Sequence, residues 1–261
     1  MSNAIIRRLK PEEKELLLKR EELLAFRWRL ADLELELIDF RSSLARFEGS
    51  YLREVGIYYA ELDEWKARIA ELLASLHPSP KATTHAEHAR QQASQSKEDS
   101  HAGTSKVEEM CPSPEIKKLY REVAKLVHPD LAATPSDRER RNRFMVDANR
   151  AYESGNQDEL QRLLDDFVDG SDIEPSIEIG AELVRIIRQI SLAKDRLTTI
   201  DQELAILRQS QIAVLMKQTE QSRQLGIDML AQLRSEVKSQ IELAILEFNV
   251  LSQKRSDPNG G

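Results

Sequence analysis

The sequence has little of what disulfide-bonded or membrane-spanning proteins need. A single cysteine excludes an intramolecular disulfide framework and a cysteine cluster for metal. No apolar run approaches the roughly 18–20 residues of a membrane helix. The N-terminal MSNAIIRRLK has no apolar core of a secretory signal. We therefore expect a cytoplasmic protein that makes no membrane contact.

Aromatic residues, glycine and proline are also scarce. Aromatics make up 5% of the 261 residues, and there are nine Gly and nine Pro, whereas charged residues reach 32%. This profile is typical of long, solvent-wetted helices, so we predict an all-α fold. The net charge of −7 argues against a nucleic-acid partner, which requires a basic face.

Residues 9–76 carry a heptad repeat, which predicts an N-terminal coiled coil over residues 1–76. Partner positions alternate at spacings of 3 and 4, and the repeat slips once, by one residue, beside Gly49-Ser50. Such a slip indicates a local unwinding or bend. The seven-residue series is Leu9, Leu16, Leu23, Leu30, Leu37, Leu44, Tyr51, Tyr58, Trp65 and Leu72.

Residues 77–112 contain almost no large apolar residue. Such a segment cannot bury enough surface to offset its chain entropy, so we predict a disordered linker. Trypsin should cut it first, at Lys81, Arg90, Lys97 and Lys106. His85 and His88 could approach a metal, but no cysteine or carboxylate framework accompanies them. We interpret them as solvated histidines and expect no metal and no cofactor.

Residues 181–255 repeat the heptad pattern after a short linker at 169–180, and residues 256–261 have the composition of a disordered tail. We predict a C-terminal coiled coil. The apolar spacing fails through MKQTEQSRQLG, residues 216–226. Either one helix continues through this stretch or the chain folds back as a hairpin. The absence of a Pro or Asn-Gly turn signal favours a continuous helix.

Residues 113–168, here called the central unit, begin with an amphipathic helix. Ser113 can cap it, with Pro114 at its first position. At about 100° per residue, its apolar side chains share one arc of about 120° and four cations share another of about 100°. The helix should stop at Val127, because Pro129 disfavours helical geometry at His128. The cations are Lys117, Lys118, Arg121 and Lys125.

The loop HPDLAATP leads into a second helix of the central unit. We predict that this helix starts at Ser136 with a capping box to Glu139, and that Gly155 ends it. A short last helix follows, capped by Asn156. The loop thus carries His128, Pro129 and Asp130 between two antiparallel helices, outside both apolar faces. A second His-Pro, at 77–78, has no basic helix before it and no Asp after it, so we interpret it as a helix stop.

The central unit resembles the J-domain of DnaJ-type co-chaperones. EIKKLYREVAKLVHPD is similar to that family's second helix and signature loop, and FMVDANRAYE is similar to its third helix. The family's first helix is missing, so another helix should replace it, and the second coiled coil is the nearest candidate. The resemblance implies a DnaK-type chaperone ATPase as partner. It also implies docking by Lys117, Lys118, Arg121 and Lys125, and a trigger formed by His128, Pro129 and Asp130.

These observations lead to one function and one alternative. We expect a co-chaperone adaptor that stimulates a DnaK-type ATPase, with coiled coils for self-association or for a helical partner. The alternative is a structural coiled-coil scaffold whose central unit is a relic without stimulation. We do not expect an enzyme, because the sequence has no Gly-rich phosphate loop, metal cluster or nucleophile–base pair and hence no catalytic residues.

Overall fold

The computed structural model describes residues 10–102, 112–132, 134–169 and 178–256. These residues are helical apart from short connections and contain no strand, which confirms the all-α prediction. None of the helices they form combines the length and the apolar character that a bilayer crossing requires. The chain divides into two compact units, Met1–Ser42 with Glu109–Arg208 and Ser43–Glu108 with Gln209–Gly261.

The helices follow one another with short connections. A π-helical turn, Leu52–Gly56, joins the first two helices, close to the place where the heptad slips by one residue. A π turn accommodates one extra residue, so it is the local unwinding that the slip predicts. The helices are α1 (Pro11–Tyr51), α2 (Ile57–Leu76), α3 (Pro80–Ala102), α4 (Pro114–Val127), α5 (Pro135–Glu153), α6 (Gln157–Asp169), α7 (Ile179–Gln209), α8 (Gln211–Gln224) and α9 (Met229–Ser256).

In the first compact unit, α1 and α7 run side by side in the same direction. Ion pairs Arg20–Glu182 and Arg41–Glu203 both join residues 162 positions apart, so the partners advance together along both helices. The heptad positions of the two helices form the apolar seam between them. That seam consists of Leu30, Leu37, Leu197, Ile200 and Leu204.

The second compact unit contains α3, so the predicted disorder of residues 77–112 is wrong for Pro80–Ala102. α3 packs against α2 through small side chains, with Ala86 and Ala93 buried. The Arg90 guanidinium also binds two carboxylates of α2, at 2.9 Å from Glu64 and 2.7 Å from Glu71. Large apolar residues are therefore not needed here, because alanine allows close helix approach and the ion pairs flank the contact.

Lys81 and Lys97, predicted as early trypsin sites, also lie in α3. Lys106 lies outside the described residues, and so do parts of the other predicted linkers and tails. These parts are residues 1–9, 103–111, 133, 170–177 and 257–261. The central unit, predicted at 113–168, corresponds to α4, α5 and α6.

The C-terminal heptad region is not one continuous helix, so that prediction is wrong. A new helix, α8, starts at Ser210, whose Oγ accepts from the Ala213 N–H at 3.3 Å. α8 ends in a Schellman motif at Gly226, which has φ +76°, and the Ile227 N–H donates to the Ser222 carbonyl at 2.9 Å. The hydroxyl of Thr219 lies 3.9 Å from the Met229 sulfur of α9. The polar stretch is therefore a helix end and a turn.

Candidate functional site

The three helices of the central unit pack around two tyrosines. Tyr120 of α4 and Tyr152 of α5 are fully buried, with ring centroids 4.8 Å apart. The Tyr120 hydroxyl donates to Asn149 Oδ1 at 2.8 Å, and burial raises the pKa of Tyr120 well above its ordinary value. This contact fixes the antiparallel α4–α5 pair and so positions the loop that joins them.

Local sequence signals set the ends of these helices. Ser113 caps α4 as predicted, with the Ile116 N–H donating to its Oγ at 3.3 Å. Gly155, at φ +65°, ends α5, and Asn156 caps α6. The predicted capping box at Ser136 is wrong, because the cap is Thr134, two residues earlier, and Pro135 takes the first helical position.

Helix α1 packs on the three helices of the central unit as a fourth helix. Its buried residues Ala31, Leu35 and Ile38 belong to the core cluster of α4, α5 and α6, and the Tyr152 hydroxyl donates to Asp39 Oδ1 at 2.5 Å. The prediction that the second heptad region supplies this helix is wrong, because none of its described residues belongs to this core cluster. The prediction missed that α1 carries a second apolar face, at positions 31, 35 and 38, beside its heptad seam.

The His-Pro-Asp loop is a tight turn with an internal hydrogen bond. Pro129–Leu131 form one 3₁₀ turn, and the Asp130 N–H donates to His128 Nδ1 at 3.2 Å. Because Nδ1 accepts, the ring proton lies on Nε2, which donates to Glu34 Oε1 of α1 at 3.2 Å. His128 is only 3% exposed, so it belongs to the packing although it lies outside both predicted apolar faces.

Glu34 is a buried carboxylate that joins three elements of the first compact unit. Besides the His128 imidazole, it accepts a hydrogen bond from Arg196 Nε of α7 at 2.9 Å, and Arg196 Nη2 lies 2.8 Å from the same carboxylate oxygen. Burial raises the pKa of Glu34, but the hydrogen bond from His128 and the Arg196 charge outweigh it and hold the pKa below its ordinary value. Glu34 is therefore ionised and satisfied.

The end of the loop is enclosed by apolar contacts and by α7. The Leu131 carbonyl accepts a hydrogen bond from the Gln189 side chain at 2.5 Å. The Leu131 side chain is buried in a cluster with residues of α1 and α7. The cluster contains Leu16, Leu23, Leu131, Ile186 and Ile190.

A cleft of about 500 Å³ lies beside the loop, between α5 and α7. Its lining includes His128, Pro129 and Asp130 of the loop and Leu192 and Thr199 of α7. The Asp130 carboxylate is 13% exposed and lies 3.4 Å from the Arg138 guanidinium. Asp130 is thus the acidic group of the loop that borders the cleft.

The four predicted docking cations do not share one environment. Lys117 pairs with Asp39 at 2.8 Å, and Arg121 pairs with Asp32 at 2.7 Å, so α1 supplies both carboxylates. Lys118 is exposed. The fourth cation, Lys125, pairs with Glu122 on its own helix, and its ammonium lies 3.7 Å from the centre of the Trp28 ring.

The remaining histidines form no comparable site. His77 caps the end of α2 and is exposed, as expected for a helix stop. His85 and His88 lie on α3 and line a cleft of about 500 Å³ with Asp63 and Glu247. Within the described residues, no three His, Cys, Asp or Glu side chains are grouped to hold a metal ion.

The sequence did not reveal the residues of α1 and α7 that contact the loop and the central helices or support those contacts: Asp32, Glu34, Asp39, Gln189 and Arg196. Glu34 and Arg196 flank the seam of α1 and α7, where heptad proteins place interhelical ion pairs. That rule suggests a pair, but its partners depend on which helices meet and at what offset. Comparison with protein-family models, with curated proteins and with solved structures found no match for this chain.

Proposed function

We propose that this chain is a co-chaperone adaptor whose central unit docks on a DnaK-type chaperone ATPase and stimulates ATP hydrolysis there. One arrangement supports the proposal. Two antiparallel helices pack through Tyr120 and Tyr152, and the loop that joins them carries His128, Pro129 and Asp130. Beside the loop lies the basic edge of α4, formed by Lys117, Lys118, Arg121 and Lys125. These are the positions at which the resemblance to J-domains implies docking and triggering.

The chemistry of the loop suits recognition by another protein. Pro129 fixes its own φ, and the bond from the Asp130 N–H to His128 holds the turn, so little conformational entropy is lost on binding. The basic edge of α4 steers an acidic partner toward the loop. Lys118 is exposed, and the side chains of Lys117 and Arg121 remain 37% and 38% exposed beside their α1 partners.

The scaffold alternative has its own supporting observation. His128 is buried, and three of the four docking cations already have a carboxylate partner within the chain. A central unit that served only to join α1 and α7 would need nothing more. In either case the long helices would bind a client, a helical partner or a second copy, and light scattering tests the last of these.

The deciding experiment is single-turnover ATP hydrolysis by a DnaK-type ATPase with the full-length chain added. Asp130→Asn keeps the size of the side chain and the backbone bond to His128 but removes the charge. Asp166→Asn, at an exposed position of α6, is the matched control. Wild type and Asp166→Asn should accelerate hydrolysis, and Asp130→Asn should not, at equal helix content by circular dichroism.

Two outcomes would contradict the proposal. Equal acceleration by Asp130→Asn would remove the loop carboxylate from the mechanism. No acceleration by wild type with several DnaK-type ATPases, or by variants that release the loop from Glu34, would favour the scaffold.

A further inference from the structure

Three of the groups that the proposed function requires are bound by α1 of the same chain. The His128 imidazole donates to Glu34 of α1, and α1 also supplies the carboxylates that pair with Lys117 and Arg121. On the other side, α7 binds Glu34 through Arg196. An acidic partner would find these sites occupied by the acidic side chains of α1.

We propose that α1 and α7 regulate the site as an internal clamp, in which carboxylates of α1 occupy the positions that the partner's carboxylates would take. The clamp consists of Asp32, Glu34 and Asp39 of α1 with Gln189 and Arg196 of α7. The site becomes available when the clamp releases the loop and α4. This inference rests on the proposed function, because it concerns access to the same loop and cations.

The geometry of α1 links the two parts of the clamp. At about 100° per residue, Ala31, Leu35 and Ile38 form one face of α1. Asp32 and Asp39 lie on one side of that face, beside the cations of α4. Glu34 lies on the other side, toward α7 and His128. A displacement of α1 would therefore free the loop and the basic edge of α4 together.

The contacts differ in how readily a partner can replace them. The Arg121–Asp32 pair is partly exposed, so it contributes little and weakens with salt. A partner's carboxylate can replace Asp32 at small cost. The hydrogen bonds of Glu34 are buried and charge-assisted, and these are the stronger ones. We therefore assign the main hold on the loop to Glu34.

Two substitutions separate these roles. Asp32→Asn frees Arg121 without touching the core, whereas Glu34→Gln removes the charge that binds Arg196 and His128. Glu36→Gln is the matched control, because Glu36 is also on α1 and also pairs with an arginine of α7, Arg208, at the surface.

Two readouts are measured on the full-length chain. The first is stimulation of a DnaK-type ATPase as a function of chain concentration. The second needs no partner: it is the rate at which diethyl pyrocarbonate modifies His128, followed peptide by peptide by mass spectrometry. The histidines at 77, 85, 88 and 101 are exposed and serve as the internal reference.

Glu34→Gln should lower the chain concentration for half-maximal stimulation about ten-fold. Losing a hydrogen bond to a charged group shifts the equilibrium between the clamped and the released loop by about that factor. It should also speed modification of His128. Asp32→Asn should lower the same concentration about two- to five-fold, as expected for an exposed ion pair. Glu36→Gln should behave as wild type in both readouts.

Two results would overturn the clamp, and they separate it from the proposed function. If Asp32→Asn and Glu34→Gln match wild type in both readouts while stimulation still depends on Asp130, the function stands and the clamp is wrong. If His128 becomes reactive in Glu34→Gln but no variant stimulates the ATPase, the proposed function fails and the clamp regulates nothing. Should Glu34→Gln lose helix content, Asp32→Asn still decides, because Asp32 lies outside the core.

Discussion

The contact between α1 and the central unit can be tested by deleting one side chain. Leu35 is 3% exposed and belongs to the core cluster that contains Tyr120 and Tyr152. Leu35→Ala removes buried carbon atoms and leaves a cavity that the helices fill only in part. Such substitutions cost about 2–5 kcal/mol, so we expect a loss of about 3 kcal/mol in the stability of the first compact unit.

Hydrogen exchange followed by mass spectrometry reads this loss locally. Since about 1.4 kcal/mol is a factor of ten, protection of the α4 amides should fall on the order of 100-fold. Peptides of α2 and α3, in the second compact unit, should keep their protection. Leu18→Ala, at a position of α1 that is 61% exposed, is the control and should change little. Unchanged α4 protection in Leu35→Ala would show that α1 does not complete this core.

Further predictions concern single groups. His128→Gln should lower the free energy of unfolding by about 1–3 kcal/mol in urea titrations, because the flexible amide loses more rotamer freedom than the imidazole in making the same two hydrogen bonds and fills less of the buried space. His77→Gln, at an exposed helix end, should stay within about 0.5 kcal/mol, and equal losses would contradict the assignment. The pKa of Glu34 is held below its ordinary value of 4.5, so its contribution is complete above that pH and lost as pH falls through the folded value. Near-ultraviolet circular dichroism between about pH 6 and 3 should show this loss in wild type and a smaller one in Glu34→Gln. Gly226→Ala should lower the free energy of unfolding by about 1–2 kcal/mol, because φ of +76° is strained for alanine. An unchanged midpoint of thermal unfolding would contradict this strain.

The sequence predicted those parts of the central unit that short-range signals determine. Ser113 and Pro114 start α4, Pro129 stops it, and Gly155 with Asn156 separates α5 from α6. Each signal acts within one helical turn, so it holds whatever the tertiary packing is. The 3₁₀ turn of the loop was not predicted, although it begins at Pro129, whose φ is fixed locally.

The predictions failed where packing depends on residues distant in sequence. α3 was predicted to be disordered because it has almost no large apolar side chains. In the structure its alanines lie close against α2, and Arg90 finds two carboxylates there. Neither contribution is visible in composition, because an alanine stabilises a helix contact only when the opposite surface is near.

The contact of α1 with the central unit was missed because the heptad pattern of α1 dominates its sequence. Leu30 and Leu37 belong to the seam with α7, whereas Leu35 belongs to the core of the central unit, so neighbouring turns of one helix serve two contacts. A heptad search identifies Leu30 and Leu37 as seam positions and treats Leu35 as a flanking position. Glu34 lies between the two faces and binds partners on both sides, His128 and Arg196. Because a rigid helix transmits displacement along and around its axis, the seam and the loop are mechanically connected. Loosening the seam at Leu37 should therefore increase the exposure of His128, although the two residues belong to different contacts.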